Sequence, residues 1–215
     1  VRQSSKYNNI SLDLVEHVGA QELERRKSTK EAIKGTKNRL HQIAGAYFSS
    51  QPKYQQWHSQ LRSAGSNKGK LKAACQSIMK NHVSTKERLS ILDEFYTTIF
   101  KDLPRIYTIL DLACGLNPLA IPWMPSKGEL RYHAVDIYTD LAEFLDEIWS
   151  ILGVDGNAYA EDITTGVPQI YADLAILVKA IPCLEQLEKN VGIQILEQVK
   201  ADYVLVSFPS QSIGG

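Results

Sequence analysis

Residues 109–123, ILDLACGLNPLAIPW, constrain this chain more than any other stretch. Ile109–Ala113 is a short, mostly apolar run of strand length. Cys114-Gly115-Leu116-Asn117-Pro118 breaks it with turn residues, and Leu119-Ala120-Ile121 starts a new apolar segment. Strand, tight glycine turn and following helix or loop form the first unit of a nucleotide-binding α/β sheet. At Gly115 a side chain would block close approach of a ligand to the backbone. Tyr132–Asp136 then reads as a second strand, ending in an acid 21 residues after Gly115. A carboxylate at that tip, about 20 residues on, is where a ribose diol is gripped.

The pattern is not the dinucleotide fingerprint, which needs G-x-G-x-x-G. One glycine in a D-x-x-x-G turn, followed by an acid after strand two, suits adenosyl-methionine methyltransferases better. The competing reading is an ordinary glycine turn with Asp136 as a surface acid. Beyond Asp136 the chain alternates. A helix is expected over 139–152, a strand over 158–162, a strand over 174–178, a helix over 183–199 and a strand over 203–207. Such alternation implies a parallel sheet, with ligands at the strands' carboxyl ends. Those ends are Ala113–Gly115, Asp136, Asp162-Ile163, Lys179 and Ser207-Phe208-Pro209. Acids at the tips of strands two and three suit acceptors for a ribose and an adenine amino group.

The N-terminal part reads as helical. Apolar residues recur at helical spacing over 10–18, and a charged helix starting at Gln21 is expected to run on to Tyr47. Shorter helices follow over 54–61 and 72–81, and a long one over 86–100 with Ser84 or Thr85 as its cap. Charge divides the chain. Residues 1–92 hold 17 lysines and arginines against six acids, while residues 93–215 hold seven against 18, although the net charge is zero. Arg25, Arg26, Lys27, Lys30, Lys34, Lys37 and Arg39 form the densest basic run. With few acids interleaved, it suits a phosphate-contacting face; the plainer alternative is a solvated helix surface. No apolar run is long enough to span a membrane. VRQSSKYNNI has no signal-like apolar core, so a cytoplasmic chain is expected. Cys75, Cys114 and Cys183 fit neither a disulfide framework nor a zinc site. The two later cysteines read as small buried hydrophobes.

Taken together, DLACGLNPLAIPWM, HVSTKERLSILDEFY, VKAIPCLE, SFPSQSIGG and LHQIAGAYF resemble one family: the aminoglycoside-resistance 16S rRNA methyltransferases that modify N7 of guanine 1405. The resemblance implies a Rossmann-like class I methyltransferase fold, using S-adenosyl-L-methionine, with an N-terminal helical RNA-binding domain. The division would fall at 1–85 and 86–215. It also implies site roles. His82, Val83 and Ser84 line the cofactor site, and Arg88 pairs with the methionine carboxylate. Ala113 and Gly115 pass beside the methionine part. Asp136 takes the ribose hydroxyls, and Asp162 with Ile163 holds the adenine. Tyr47 closes over the cofactor, Lys179 lies near the reacting end, and Phe208 stands near the target base. Family members continue past a turn like SIGG with a helix and two strands, which would wall the target pocket.

Guanine N7 is an acceptor lone pair without a proton, so it can attack a sulfonium methyl with no general base. No nucleophile constellation is then needed, and the task is alignment. The expected partner is the 30S subunit, bound by a monomer. Two other readings stand beside this one. The chain could methylate a small molecule or another nucleotide, or it could be a non-catalytic rRNA-binding or assembly factor that kept the fold.

Overall fold

The computed structural model describes residues 1, 4, 7–44, 47–48, 50–125 and 129–208. The remainder of the SFPSQSIGG motif after Phe208 therefore lies outside the described residues.

Five parallel strands form one sheet: β1 (Thr108–Leu112), β2 (Arg131–Asp136), β3 (Asp155–Ala160), β4 (Tyr171–Val178) and β5 (Lys200–Ser207), in the order β3-β2-β1-β4-β5. Side chains alternate across β1. Ile109 faces one apolar cluster, and Leu110 and Leu112 face another. This two-residue period is what a strand covered on both faces requires.

Nine α-helices are described: α1 (Leu12–Arg25), α2 (Thr29–Ala44), α3 (Tyr54–Ser63), α4 (Lys68–Met79), α5 (Val83–Lys86), α6 (Leu92–Lys101), α7 (Thr139–Leu152), α8 (Ile181–Leu184) and α9 (Val191–Gln198). On one face of the sheet, α7 contributes Leu141, Phe144, Leu145 and Ile148. They share a cluster with Trp57 and Leu61 of α3 and with Cys75, Ile78 and Met79 of α4. On the other face Leu184, Val191 and Ile195 cover Leu110, Val135 and Leu177. A third cluster joins Leu14 and Val18 of α1 to Leu40 and Ile43 of α2 and reaches Leu187.

Several boundaries differ from the sequence reading, each for a local reason. The helix expected from Gln21 to Tyr47 is broken after Arg25. Arg26 is extended (φ −111°, ψ 149°), and the Ser28 hydroxyl accepts from the Glu31 amide at 3.3 Å. This is the Ser-x-x-Glu start of a new helix. Glu22 is buried between α1 and α2 above Gly35, where an added Cβ would lie 2.0 Å from the Glu22 carboxylate. The long helix expected over 86–100 is also split, into α5, a 3₁₀ turn at Leu89–Ile91, and α6. The Thr85 hydroxyl donates to the Met79 carbonyl at 2.7 Å and the His82 carbonyl at 3.1 Å, and the Arg88 amide donates to Thr85 at 3.1 Å. Arg88, at the N-cap of the 3₁₀ turn between α5 and α6, is buried. The segment after the glycine turn is a 3₁₀ helix, Asn117–Trp123; Pro122 inside it has no amide to donate. β3 ends at Ala160, so Asp162 stands in the turn beyond it. The helix expected over 183–199 is interrupted. Asn190 adopts φ +66°, and the Glu185 carboxylate accepts the Asn190 and Gly192 amides at 2.8 and 3.0 Å.

Candidate functional site

A cleft opens at the carboxyl ends of the strands, where a parallel sheet presents ligands. Of the residues expected there, Tyr47, His82, Ser84, Ala113, Asp136, Asp162, Ile163 and Lys179 line it. Ile43, Tyr138, Glu161, Cys183 and Leu187 are among its other wall residues. Two non-glycine residues with positive φ, Ala113 (+50°) and Lys179 (+59°), sit at the ends of β1 and β4. Left-handed backbone outside glycine is uncommon and concentrates at functional sites.

Asp136 is built as an acceptor. Its carboxylate takes the Gly115 amide at 2.8 Å and the Ile137 amide at 2.7 Å. Burial pushes its carboxyl up, and these amides oppose the shift. Gly115 itself is not on the wall. Its φ is +50°, and a Cβ there would fall 2.7 Å from the His82 ring. His82 stacks on Tyr47 with centroids 5.6 Å apart and meets the edge of Phe48 at 5.0 Å. Burial, and then the neighbouring Arg88 charge, push its pKa down to about 4, so the ring is neutral. Its Nδ1 is buried without a partner among the described residues.

Arg88 stands one side chain behind the wall. It is 4% exposed and donates to Asn117 Oδ1 at 2.8 Å; its contact with the Ser84 hydroxyl, at 3.4 Å, is long. Asn117 passes the contact to Asp111 at 2.9 Å, and the Tyr96 and Tyr132 hydroxyls complete the network. No carboxylate touches the guanidinium directly among the described residues, and its Nε is buried without a partner. A buried cation with spare donors suits a ligand carboxylate. Val83 is likewise behind the wall; its amide donates to the Tyr47 carbonyl at 2.8 Å and ties that residue to α5.

The end of the cleft at Asp162 holds residues that the sequence reading missed. Asp162 Oδ1 accepts the Thr164 amide at 3.0 Å and hydroxyl at 2.6 Å, and Oδ2 lies 2.8 Å from His17 Nδ1. The Asp162 amide donates to Asp13 at 2.6 Å. At the opposite end Lys179 pairs with Glu87, and burial lowers its pKa. Cys183, expected to be a buried hydrophobe, is instead half-buried on the wall, its thiol against the Tyr47 hydroxyl. Phe208 is outside the cleft and 61% exposed. It follows Ser207, which pairs in register with Val178, so Phe208 and Lys179 leave adjacent strand ends.

In the basic run, Arg25, Arg26, Lys27, Lys30 and Lys34 are exposed and Lys37 is half-buried. Arg26 is paired with Glu22 at 2.9 Å. Arg39 differs from the rest. Its side chain is 15% exposed, and it donates to Gln21 Oε1 at 2.5 Å and to the Leu187 carbonyl at 2.7 Å. Those contacts occupy it inside the protein, so it is not displayed with the other cations. No described helix is long and apolar enough to cross a membrane.

Comparison with known proteins gives these features a common setting. The family described as "Ribosomal RNA methyltransferase (FmrO)" matches residues 3–215. A 16S rRNA (guanine(1405)-N(7))-methyltransferase of Micromonospora echinospora is 35% identical, over all of this chain and 80% of the relative. One from Serratia marcescens is 32% identical, over 99% of this chain and 79% of the relative. Among solved structures, the 16S rRNA methylase RmtB superposes with a TM-score of 0.83 at 30% identity, covering 96% of this chain and 80% of that one. RmtF, solved with S-adenosyl-L-homocysteine, superposes with a TM-score of 0.79 at 27% identity, covering 100% and 80%. A class I methyltransferase sheet, its strand-end cleft and this full-length similarity agree: the chain belongs to the ribosomal RNA methyltransferase family, whose relatives carry the name 16S rRNA (guanine(1405)-N(7))-methyltransferase.

Proposed function

We propose that this protein transfers the methyl group of S-adenosyl-L-methionine to N7 of guanine 1405 of 16S rRNA within the 30S subunit, and that in a cell it thereby confers aminoglycoside resistance. The observation that carries this reading is that the buried Arg88, which no carboxylate touches among the described residues, and the amide-held Asp136 both contact the Cys114–Asn117 turn, through Asn117 and Gly115. These are complementary receptors for the two ends of an adenosyl amino acid.

The bound cofactor would supply an electrophilic methyl on a sulfonium. Asp136 accepts the ribose hydroxyls, Asp162 and the Ile163 backbone receive the adenine, and Arg88, through the Ser84 and His82 wall, faces the amino-acid carboxylate. Val83, Ala113 and Gly115 shape the backbone beside it, and Tyr47 closes the cleft over it. Lys179 stands at the reacting end, and Phe208 stacks on or near the incoming base. Guanine N7 carries no proton, so no residue here need act as a base. What the chain provides is alignment and exclusion of water.

Helix α2 and its junction with α1 form the rRNA platform, through Arg25, Arg26, Lys27, Lys30, Lys34 and Lys37. A unit of residues 1–85 serving RNA, and one of 86–215 serving the cofactor, fits the charge division of the sequence. The protein acts as a monomer in the cytoplasm, where the subunit is. The test is mass spectrometry or primer extension of 16S rRNA from cells expressing the protein. A methyl group on N7 of guanine 1405 is the expected result. Unmodified rRNA in cells that contain the folded protein would refute the proposal.

A further inference from the structure

A file of three hydrogen bonds runs from α2 through α1 to the cleft. Arg39 donates to Gln21 Oε1 at 2.5 Å, Gln21 Nε2 meets His17 Nε2 at 2.8 Å, and His17 Nδ1 meets Asp162 Oδ2 at 2.8 Å. Its direction follows from the donors available. A guanidinium can only donate, so the Gln21 oxygen faces Arg39 and the amide nitrogen faces His17. That nitrogen also only donates, so His17 Nε2 accepts and carries no proton. The imidazole proton therefore sits on Nδ1 and points at Asp162. Arg39 is held in place by its second bond, to the Leu187 carbonyl at 2.7 Å.

At the receiving end, the Thr164 amide and hydroxyl fill Oδ1 of Asp162, at 3.0 and 2.6 Å. His17 fills one site on Oδ2. A carboxylate has about four acceptor sites, so one is left. Its side chain is 2% exposed, and Asp162 lines the cleft. A buried acceptor with one vacancy, held by donors on every other side, is a selective receptor. A ligand offering N–H satisfies it, and one offering C=O sets two acceptors against each other in a low-dielectric site.

We infer that His17 and Gln21 are positioning residues for purine recognition. The Arg39–Gln21–His17 file presents Asp162 as an acceptor, so that the cleft selects a cofactor with a 6-amino purine over one with a 6-oxo purine. The inference rests on the cofactor reading above and extends it to residues of the RNA-facing helices.

The experiment is calorimetric titration of the full chain with S-adenosyl-homocysteine and with S-inosyl-homocysteine. The variants are His17→Ala, His17→Asn and Gln21→Leu, each checked for fold by circular dichroism. Wild type is expected to prefer the adenosyl ligand. His17→Ala should reduce that preference about tenfold, the scale of one lost hydrogen bond at a buried charged acceptor. His17→Asn, whose amide can donate in place of Nδ1, should keep most of it. Gln21→Leu, which removes the donor that holds the ring at Nε2, should lose part of it. A wild-type ratio in folded His17→Ala, or an equal loss in the Asn and Ala variants, overturns the inference. If His17→Ala does not fold, an unchanged ratio in Gln21→Leu overturns it. Wild-type protein that binds neither ligand refutes instead the cofactor site on which the inference stands.

Discussion

Gly115→Ala tests the turn that packs behind the cleft wall, and the size of its effect can be worked from the geometry. The added Cβ would stand 2.7 Å from both Cε1 and Nε2 of His82. Non-bonded carbons are at rest about 3.5–4.0 Å apart, so roughly 1 Å must be found. His82 cannot supply it cheaply, because the residue is 7% exposed and its ring is wedged between Tyr47 and Phe48. Overpacking of this kind costs about 1–3 kcal/mol. The backbone adds a separate penalty, since φ is +50°, and a left-handed alanine costs roughly 1–2 kcal/mol. Ala113, already at φ +50° two residues earlier, indicates that the chain tolerates this second penalty. The sum is about 2–5 kcal/mol, read as a loss of unfolding free energy in urea and as weaker binding of S-adenosyl-homocysteine by calorimetry. The two parts separate in a double-mutant cycle. In a His82→Ala background the steric part should vanish, leaving about 1–2 kcal/mol and a coupling of about 1–3 kcal/mol. Full stability in Gly115→Ala, or strict additivity with His82→Ala, would refute the claim that the glycine exists to admit the histidine ring.

Three other outcomes are expected. His82, with its folded pKa near 4, and Asp111, pushed up by burial to about 6, work against each other with pH. The buried neutral histidine costs stability as pH falls from about 6.5 towards 4, and the buried acid costs stability as pH rises from about 4 towards 6. Each swing is about 3 kcal/mol by linkage, so wild type should be nearly flat from these two groups; in His82→Gln, urea melts should show stability falling as pH rises through that window, and a flat profile would contradict the assignment. Asp136→Ala should abolish detectable binding of S-adenosyl-homocysteine, because it removes the acceptor held by Gly115 and Ile137, and wild-type affinity there would move the ribose elsewhere. Reversing Arg25, Lys27 and Lys30 to Glu should weaken 16S rRNA binding and flatten its salt dependence, leaving calorimetric cofactor affinity intact; an unchanged salt slope would mean that the platform lies on another face.

What the sequence disclosed is what depends on neighbours along the chain. The glycine turn, the acid at the tip of β2, and the strand cores are local patterns of apolar period and breakers, and the sheet places them as the patterns require. The broken helix at Arg26–Ser28 was also legible, since Ser28 and Glu31 form a helix start, but the unbroken basic run masked it. Arg39 looked like its charged neighbours. Yet it follows Ala32 by seven residues and Thr36 by three, which puts it beside the stripe that buries Ala32, Thr36, Leu40 and Ile43. Helical phase, and not charge alone, would have set it apart. The His17–Asp162 contact spans 145 residues, and Arg88–Asn117 spans 29. Pairings of that kind are made by tertiary packing, and no periodicity reports them.

The charge division invites the picture of two independent modules, an RNA grip and a cofactor pocket on a tether. The contacts argue for something stiffer. Ile43 and Tyr47, from the basic half, are part of the cleft wall. Arg39 reaches the carbonyl of Leu187, another wall residue, and the α1 side chains Asp13 and His17 fasten the turn at Asp162. The surface that would meet phosphates is thus built on helices that also close the methyl-donor site. For a displacement at guanine N7 this matters quantitatively. The reacting atoms must come within about 3–3.5 Å in line, and a misplacement of about 1 Å can cost two orders of magnitude in rate. With no proton to move, geometry is nearly the whole of the catalysis. A flexible joint between the halves would give that geometry away, whereas the shared walls hold α1 and α2 in a fixed relation to the cleft.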